Sequence, residues 1–217
     1  MKRLLRIWQK LKLSNYDYIL YLVTDKNLKD VELIKKVELA IQGGVNIVQL
    51  RDKSLSSKRL LDRAIKMKKL TEKYNVPLII NDRLDMALAV NAEGLHIGQE
   101  DLPLRICKKY FSGIIGVSAN NKTQAIKAYK DGADYIGYGT IYKTESKKDY
   151  ELIKDSIEEV KELINVPLIG IGGIKLEHVT KLISKGLDGI AVISAILGQK
   201  DPKKASRDFV SNLTSDI

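Results

Sequence analysis

A chain of 217 residues, 44% of them hydrophobic and with no Pro-, Gly- or Ser-rich stretch, is long enough for one domain with a sizeable core and shows no linker dividing it. Its 37 Lys and Arg against 27 Asp and Glu give a net charge of +10, but these cations are spread along predicted helices, which argues for solvated surface over a nucleic-acid-binding stripe. A lone cysteine, Cys107, excludes an intramolecular disulfide framework, fits a reducing compartment and reads as a small buried hydrophobe.

The first segment, MKRLLRIWQKLKLSNYD, is basic like the start of a signal peptide, yet its charges are scattered and it lacks a continuous apolar middle. A short amphipathic helix over about residues 1–15, packed on the body of a single domain spanning 1–217, is expected here, and a cytoplasmic location follows. The longest apolar run, 190–197 but for Ser194, is too short to cross a bilayer, so no membrane partner is expected.

From there an element order repeats. Runs rich in Ile, Val and Tyr occur at about 17–24, 45–51, 77–82, 94–99, 113–119, 135–141, 167–172 and 189–195, each followed by a segment that can be helical. In 150–164 the apolar positions Ile153, Ile157, Val160 and Ile164 fall at helical spacing, as do Leu176, Val179 and Ile183 in the next helix. The short, continuous runs between read as strands buried on both faces. Eight βα units in this length fit a closed parallel (β/α)8 TIM barrel better than an open doubly wound sheet. In such barrels the loops at the strand C-termini build the active site, which selects the residues to inspect.

At the end of strand two, VQLRDK projects Gln49, Arg51 and Lys53 to one side, because side chains alternate along a strand. Strand three ends in Asn81 and Asp82, strand four in His96 followed by GQED with Asp101, and strand five in Ser118 and Asn120. Strand six runs into GTIYKTESKK, strand seven into GIGGI and strand eight into VISAI. Gly172 and Gly173 serve either as plain turn residues or to let a ligand approach the backbone. Their place after strand seven, with Ser194 opening a helical turn after strand eight, favours a phosphate site.

Asp82 and Asp101 end neighbouring strands, about 4.8 Å apart in a sheet, so their oxygens can share a divalent cation; oxygen ligands beside a polyphosphate favour magnesium. The alternative for either is a helix cap. His178 reads as a surface residue and His96 as a satisfied core histidine, and neither has metal-ligand spacing, so zinc is not expected.

The strings VQLRDK, IINDR, GLHIGQEDLP, IGVSA, GADYIGYGTIYKTESKKD, LIGIGGI and VISAI, in this order over about residues 18–200, resemble those of the thiamine phosphate synthase family. The resemblance implies a transferase that joins 4-amino-2-methyl-5-(diphosphooxymethyl)pyrimidine to a thiazole phosphate, giving thiamine phosphate and pyrophosphate. It implies a pyrimidine diphosphate site of Gln49, Leu50, Arg51, Asp52, Lys53, Asn81, Ser118 and Lys147, with Arg51, Lys53, Ser118 and Lys147 acting in catalysis. It implies a thiazole phosphate site of Thr144, Glu145, Ser146, Gly173, Ile193 and Ser194, and Mg2+ on Asp82 and Asp101. The partners expected are these two small molecules; nucleic acid is not expected, and a homo-oligomer is compatible with the sequence.

This chain departs from the family pattern in three places. Asn120 stands where the family often has His, Thr140 and Lys143 stand where it often has Pro, and the segment after Lys147 is shorter and lacks a glycine. Asn120 can donate a hydrogen bond but cannot carry a proton, and the absent prolines alter loop stiffness. Two rivals remain: a thiazole tautomerase of similar sequence, and a non-catalytic anion or nucleic-acid binder using the net charge. Arg51, Lys53, Asp82, Asp101 and Lys147 argue against the isomerase, which has no leaving pyrophosphate to neutralise.

Overall fold

The computed structural model describes residues 19–144 and 151–214; the helix expected over 1–15 lies outside them. Eight parallel strands close into one barrel in chain order, β1 (Leu20–Val23) pairing with both β2 (Ile47–Leu50) and β8 (Gly189–Val192). Between these lie β3 (Leu78–Asn81), β4 (Gly94–Ile97), β5 (Ile114–Ala119), β6 (Tyr135–Tyr138) and β7 (Leu168–Ile171). The chain is a TIM barrel, as its element order predicts.

The helices that cover it are α1 (Asp30–Gln42), α2 (Ser57–Lys73), α3 (Leu84–Ala89), α4 (Leu104–Tyr110), α5 (Lys122–Lys130), α6 (Ile157–Leu163), α7 (Val179–Ser184), α8 (Ser194–Leu197) and α9 (Pro202–Thr214). Two differ from the apolar spacing. Helix α6 starts only at Ile157, because Ser156 caps it by accepting from Glu159 N, while Ile153 donates its N–H to Thr140 O at 2.9 Å and stays in the loop. Leu176 belongs to a single 3-10 turn (Leu176–His178) that leads into α7. Apolar period alone does not register where the backbone finds a better partner than its own helix.

Two layers of core follow from strand alternation. Leu20, Leu22, Val48, Leu50, Leu78, Ile80, Leu95 and Ile136 point outward and pack with the helices in the larger apolar cluster, which also takes up the buried Cys107. Ile19, Tyr21, Val23, Ile47, Ile79, Ile114, Tyr135, Ile169 and Ala191 point inward and plug the barrel. Parallel register keeps inward residues of neighbouring strands level, so Val23 sits beside Gln49, Asn81 beside His96, and Ser118 beside Gly137. Polar residues at inward positions near the strand ends therefore meet at one mouth.

Large rings inside a narrow barrel need space elsewhere. A Cβ on the inward-facing Gly116 would lie 2.0 Å from Tyr135 Cζ, and one on Gly137 would lie 3.1 Å from His96 Cε1. Gly116→Ala should therefore overpack the interior and lower the unfolding free energy by about 1–3 kcal/mol in urea denaturation. An unchanged midpoint would show that the Tyr135 ring has room to move.

Candidate active site

Strand β2 and the residues after it carry the cationic side of the site. Alternation turns Gln49, Arg51 and Lys53 toward a cavity of ≈1380 Å³ at the barrel mouth. It turns Leu50 and Asp52 away: Leu50 is sealed in the outer core, and Asp52 Oδ2 binds the buried Arg63 Nη1 at 2.8 Å. Family resemblance groups both with the diphosphate residues. Their side chains face away from the cavity, so any approach to a ligand is left to their backbone.

Asp52 has a different task in the geometry. Arg63 bridges it to Asp30 through Nε at 2.7 Å, and Asp52 Oδ1 accepts from Ser54 N at 2.8 Å. On the other side Thr24, also buried, exchanges hydrogen bonds with the backbone of Arg51, accepting from its N–H at 2.9 Å and donating to its O at 3.2 Å. The segment that presents Arg51 and Lys53 is thus held from both sides.

Strands β3 and β4 supply the anionic side. Asn81 and Asp82 line the cavity, and Lys53 Nζ binds Asp82 Oδ2 at 2.7 Å. Asp101 lies in the loop after β4, folded back so that its Oδ2 accepts from Gly98 N at 2.6 Å. Asp82 and Asp101 are within hydrogen-bonding reach of each other, and burial together with Asp101 holds the Asp82 carboxyl above the usual range despite Lys53. Neither side chain caps a helix: the residue that opens α3 is Arg83 and the one that opens α4 is Pro103. Asp82 also adopts φ +61°, a left-handed conformation rare for residues other than Gly, Asn and Asp.

Paired carboxylates beside cations are a donor set suited to a hard divalent ion that keeps waters and shares phosphate oxygens. Among the described residues no cluster of three or more His, Cys, Asp or Glu forms a metal site.

The opposite wall carries Thr144, Gly173, Ile193 and Ser194. The loop after β6 lies over the end of β7 and the glycines that follow it, with Ile141 N and Tyr142 N donating to Ile171 O and Gly172 O at 3.0 Å each. Gly172 and Gly173 have φ of +101° and +60°, and a Cβ on Gly173 would lie 2.3 Å from Lys143 O. The sequence suggests glycines for ligand approach; the structure adds a chain crossing that only glycine permits. Ser194 starts the four-residue α8, whose far end is capped by Lys36 Nζ donating to Leu197 O at 2.8 Å. Glu145, Ser146 and Lys147 lie outside the described residues.

Strand β5 brings Ser118 to the cavity, and Asn120 follows at its edge with its N–H bonded to Gln124 Oε1 at 2.8 Å. His96 is buried with both ring nitrogens bonded, as the core reading expects, but it also lines the cavity. Burial pushes its pKa down to about 4, so it is neutral at pH 7. His178 is half-buried, not a free surface residue: it stacks on Tyr142 at 3.9 Å and accepts from Lys175 N. Tyr21 and Tyr135 also line the cavity, and neither is singled out by the sequence. The one signal for them is a tyrosine at an inward position of an otherwise aliphatic strand.

A family model described as thiamine monophosphate synthase matches residues 20–196. The chain belongs to the thiamine monophosphate synthase family. This family comprises enzymes, and the protein is a transferase. A thiamine-phosphate synthase of Clostridium tetani is 52% identical over 200 residues, covering 90% of this chain and 96% of that one. One from Methanobrevibacter smithii is 41% identical over 201 residues, covering 91% and 96%. Among solved structures, thiamine phosphate pyrophosphorylase from Pyrococcus furiosus superposes with a TM-score of 0.84 at 31% identity, over 92% of this chain and 96% of that one. Similarity to 3-hexulose-6-phosphate synthase, at 13% identity and a TM-score of 0.66 over 89% of this chain and 99% of that one, shows the barrel alone.

The raised Asp82 pKa makes a prediction about the free family member. Ionising Asp82 costs the folded state, so its contribution to stability is full below the ordinary aspartate value of about 3.9 and is lost as pH rises through the raised value. Asp82→Asn removes the like charge and suits the left-handed backbone. It should be at least as stable as the native protein at pH 7, with the gain vanishing below about pH 4. Thermal melts across pH check this, and a variant less stable at neutral pH than in acid, relative to native, would contradict it.

Proposed function

We propose that the protein transfers the 4-amino-2-methylpyrimidin-5-ylmethyl group from its diphosphate to the nitrogen of a thiazole phosphate, giving thiamine phosphate and pyrophosphate. The observation that carries this reading is the convergence of Arg51 and Lys53 on the carboxylates Asp82 and Asp101 at one mouth, a charge pattern that a metal-bound diphosphate completes. Family membership and the relatives' names support it.

In this reaction the methylene C–O bond breaks, both electrons leaving with the pyrophosphate oxygen, and the thiazole nitrogen supplies the pair for the new C–N bond. The amino group of the pyrimidine delocalises the charge on the methylene, so no protein nucleophile is needed. Mg2+, held by Asp82 and Asp101, would neutralise charge on the diphosphate. Arg51, Lys53 and Lys147 are assigned to the departing oxygens, where fixed cations lower the barrier because charge grows there. Gln49, Asn81 and Ser118 are assigned to the pyrimidine. Thr144, Glu145, Ser146, Gly173, Ile193 and Ser194 are assigned to the thiazole phosphate, holding the two reactants in line.

A tautomerase would need a proton carrier. His96 is the only histidine that lines the cavity among the described residues, and it is neutral with both nitrogens engaged. Pairing of Lys73, Lys122, Lys127, Lys161, Lys185 and Lys204 with acids supports solvated surface over a nucleic-acid stripe among the described residues. The reaction is assigned to the cytoplasm, in keeping with the lone, buried Cys107. Among the described residues no helix is long and apolar enough to cross a membrane.

Mixing the protein with both phosphorylated substrates and Mg2+ should yield thiamine phosphate and pyrophosphate in equal amounts. Lys53→Ala and Lys147→Ala should each lower the single-turnover rate by about a hundredfold with the fold intact. No product from the native protein would refute the assignment, and an unchanged rate in either variant would remove that lysine from the leaving-group site.

A further inference from the structure

At the floor of the cavity a chain of hydrogen bonds crosses the barrel. Gln49 Nε2 donates to Tyr21 Oη at 2.8 Å, and Tyr21 Oη lies 2.8 Å from Tyr135 Oη. Tyr135 Oη lies 2.9 Å from His96 Nδ1, and His96 Nε2 lies 2.8 Å from Ser118 Oγ. Gln49, Tyr21, Tyr135 and His96 are all buried. Burial keeps both phenols above their ordinary pKa and the imidazole below its own, so every member is neutral near pH 7.

Each hydroxyl carries one proton and a neutral imidazole one, so each link holds a single proton and the links cannot be oriented independently. The Gln49 amide sets the direction. With its Nε2–H donated to Tyr21, the Tyr21 proton passes to Tyr135 Oη and the Tyr135 proton to His96 Nδ1. That leaves His96 protonated on Nε2, which donates to Ser118 Oγ. The Ser118 proton is then available to the cavity, and so is Gln49 Oε1, which takes no protein donor among the described residues. The floor presents an acceptor at one end and a donor at the other.

We infer that this chain makes the floor select a 4-aminopyrimidine over its 4-oxo counterpart, with Tyr21, Tyr135 and His96 as positioning residues acting through Gln49 and Ser118. The inference rests on the proposed pyrimidine substrate. The exocyclic amine donates to Gln49 Oε1 and a ring nitrogen accepts from Ser118. A 4-oxo ring offers an acceptor where the amine stood. To meet it, Gln49 must turn its amide over, which reverses every link and draws the Ser118 proton back to His96 Nε2. A hydrogen bond made at one end is broken at the other, and a buried polar group left without a partner is expensive. Rejection comes from the coupling of the two ends, not from a clash.

Two measurements on the full chain test this. Nitrogen-15 NMR of the His96 ring in the native protein should show the Nε2–H tautomer; the Nδ1–H tautomer would overturn the stated direction. Calorimetry with Mg2+ should show the 4-amino pyrimidine diphosphate binding about a hundredfold more tightly than the 4-oxo compound. Tyr135→Phe, which removes one oxygen and keeps the ring, should cut this preference below about tenfold by uncoupling the ends. A preference retained in full by a folded Tyr135→Phe overturns the inference, as does equal binding of both compounds to the native protein, which would leave the proposed function standing. Binding of neither compound to the native protein would sink the functional reading, and the ligand assignment with it.

Discussion

The structure depends on one constraint, the pleat of a closed parallel barrel. Successive residues of a strand face opposite sides, and closure gives every strand the same inside. Leu50 and Asp52 are therefore committed to the helical layer as firmly as Gln49, Arg51 and Lys53 are to the cavity. A one-residue slip of β2 would put both cations into apolar packing. Arg63 and Thr24 guard against such a change just beyond the strand, where ladder hydrogen bonds no longer define the register.

The same constraint explains what is legible in the sequence. Eight short apolar runs separated by helix-length segments specify a barrel, and the barrel specifies the rim, so Arg51, Lys53, Asp82, Asp101, Ser118 and Gly173 can be gathered before any coordinates. Facing is the weak point. Leu50 and Asp52 sit inside the VQLRDK string, and resemblance carries the whole string, whereas period two divides it. Tyr21 and Tyr135 are hidden for the opposite reason: each reads as ordinary barrel filling, and only the meeting of strands distant in sequence makes them a chain of polar contacts. The start of α6 is misplaced by spacing because Ile153 binds Thr140 across the loop, a tertiary contact that no helical period encodes. Gly173 reads from sequence for its ligand side, and its crowding by Lys143 O requires the crossing segment to be seen.

Charge at the mouth is arranged against the stability of the free protein. Two carboxylates are held together on a backbone that includes a left-handed aspartate, and a single lysine salt bridge offsets only part of the cost of burial and of the neighbouring carboxylate. Away from the mouth, the buried Asp52 meets Arg63 and the half-buried Glu93 meets Lys68. A site that stores like charge in the absence of ligand is one that a cation relieves, and a cation so placed draws a polyanion to the facing Arg51 and Lys53. In the proposed reaction the neutral floor and the charged rim divide the work, the floor identifying a ring and the rim accepting the charge that leaves it.

The central claim is that the carboxylates and the cations form one site for a divalent ion and a diphosphate together. Calorimetric titration of the native protein with inorganic pyrophosphate, with and without Mg2+, tests it most directly. Linked binding predicts that Mg2+ tightens pyrophosphate binding by at least about tenfold, because each ligand screens the charge that opposes the other. Equal affinity with and without Mg2+ would mean that Asp82 and Asp101 hold no cation in contact with the diphosphate, and would contradict the account.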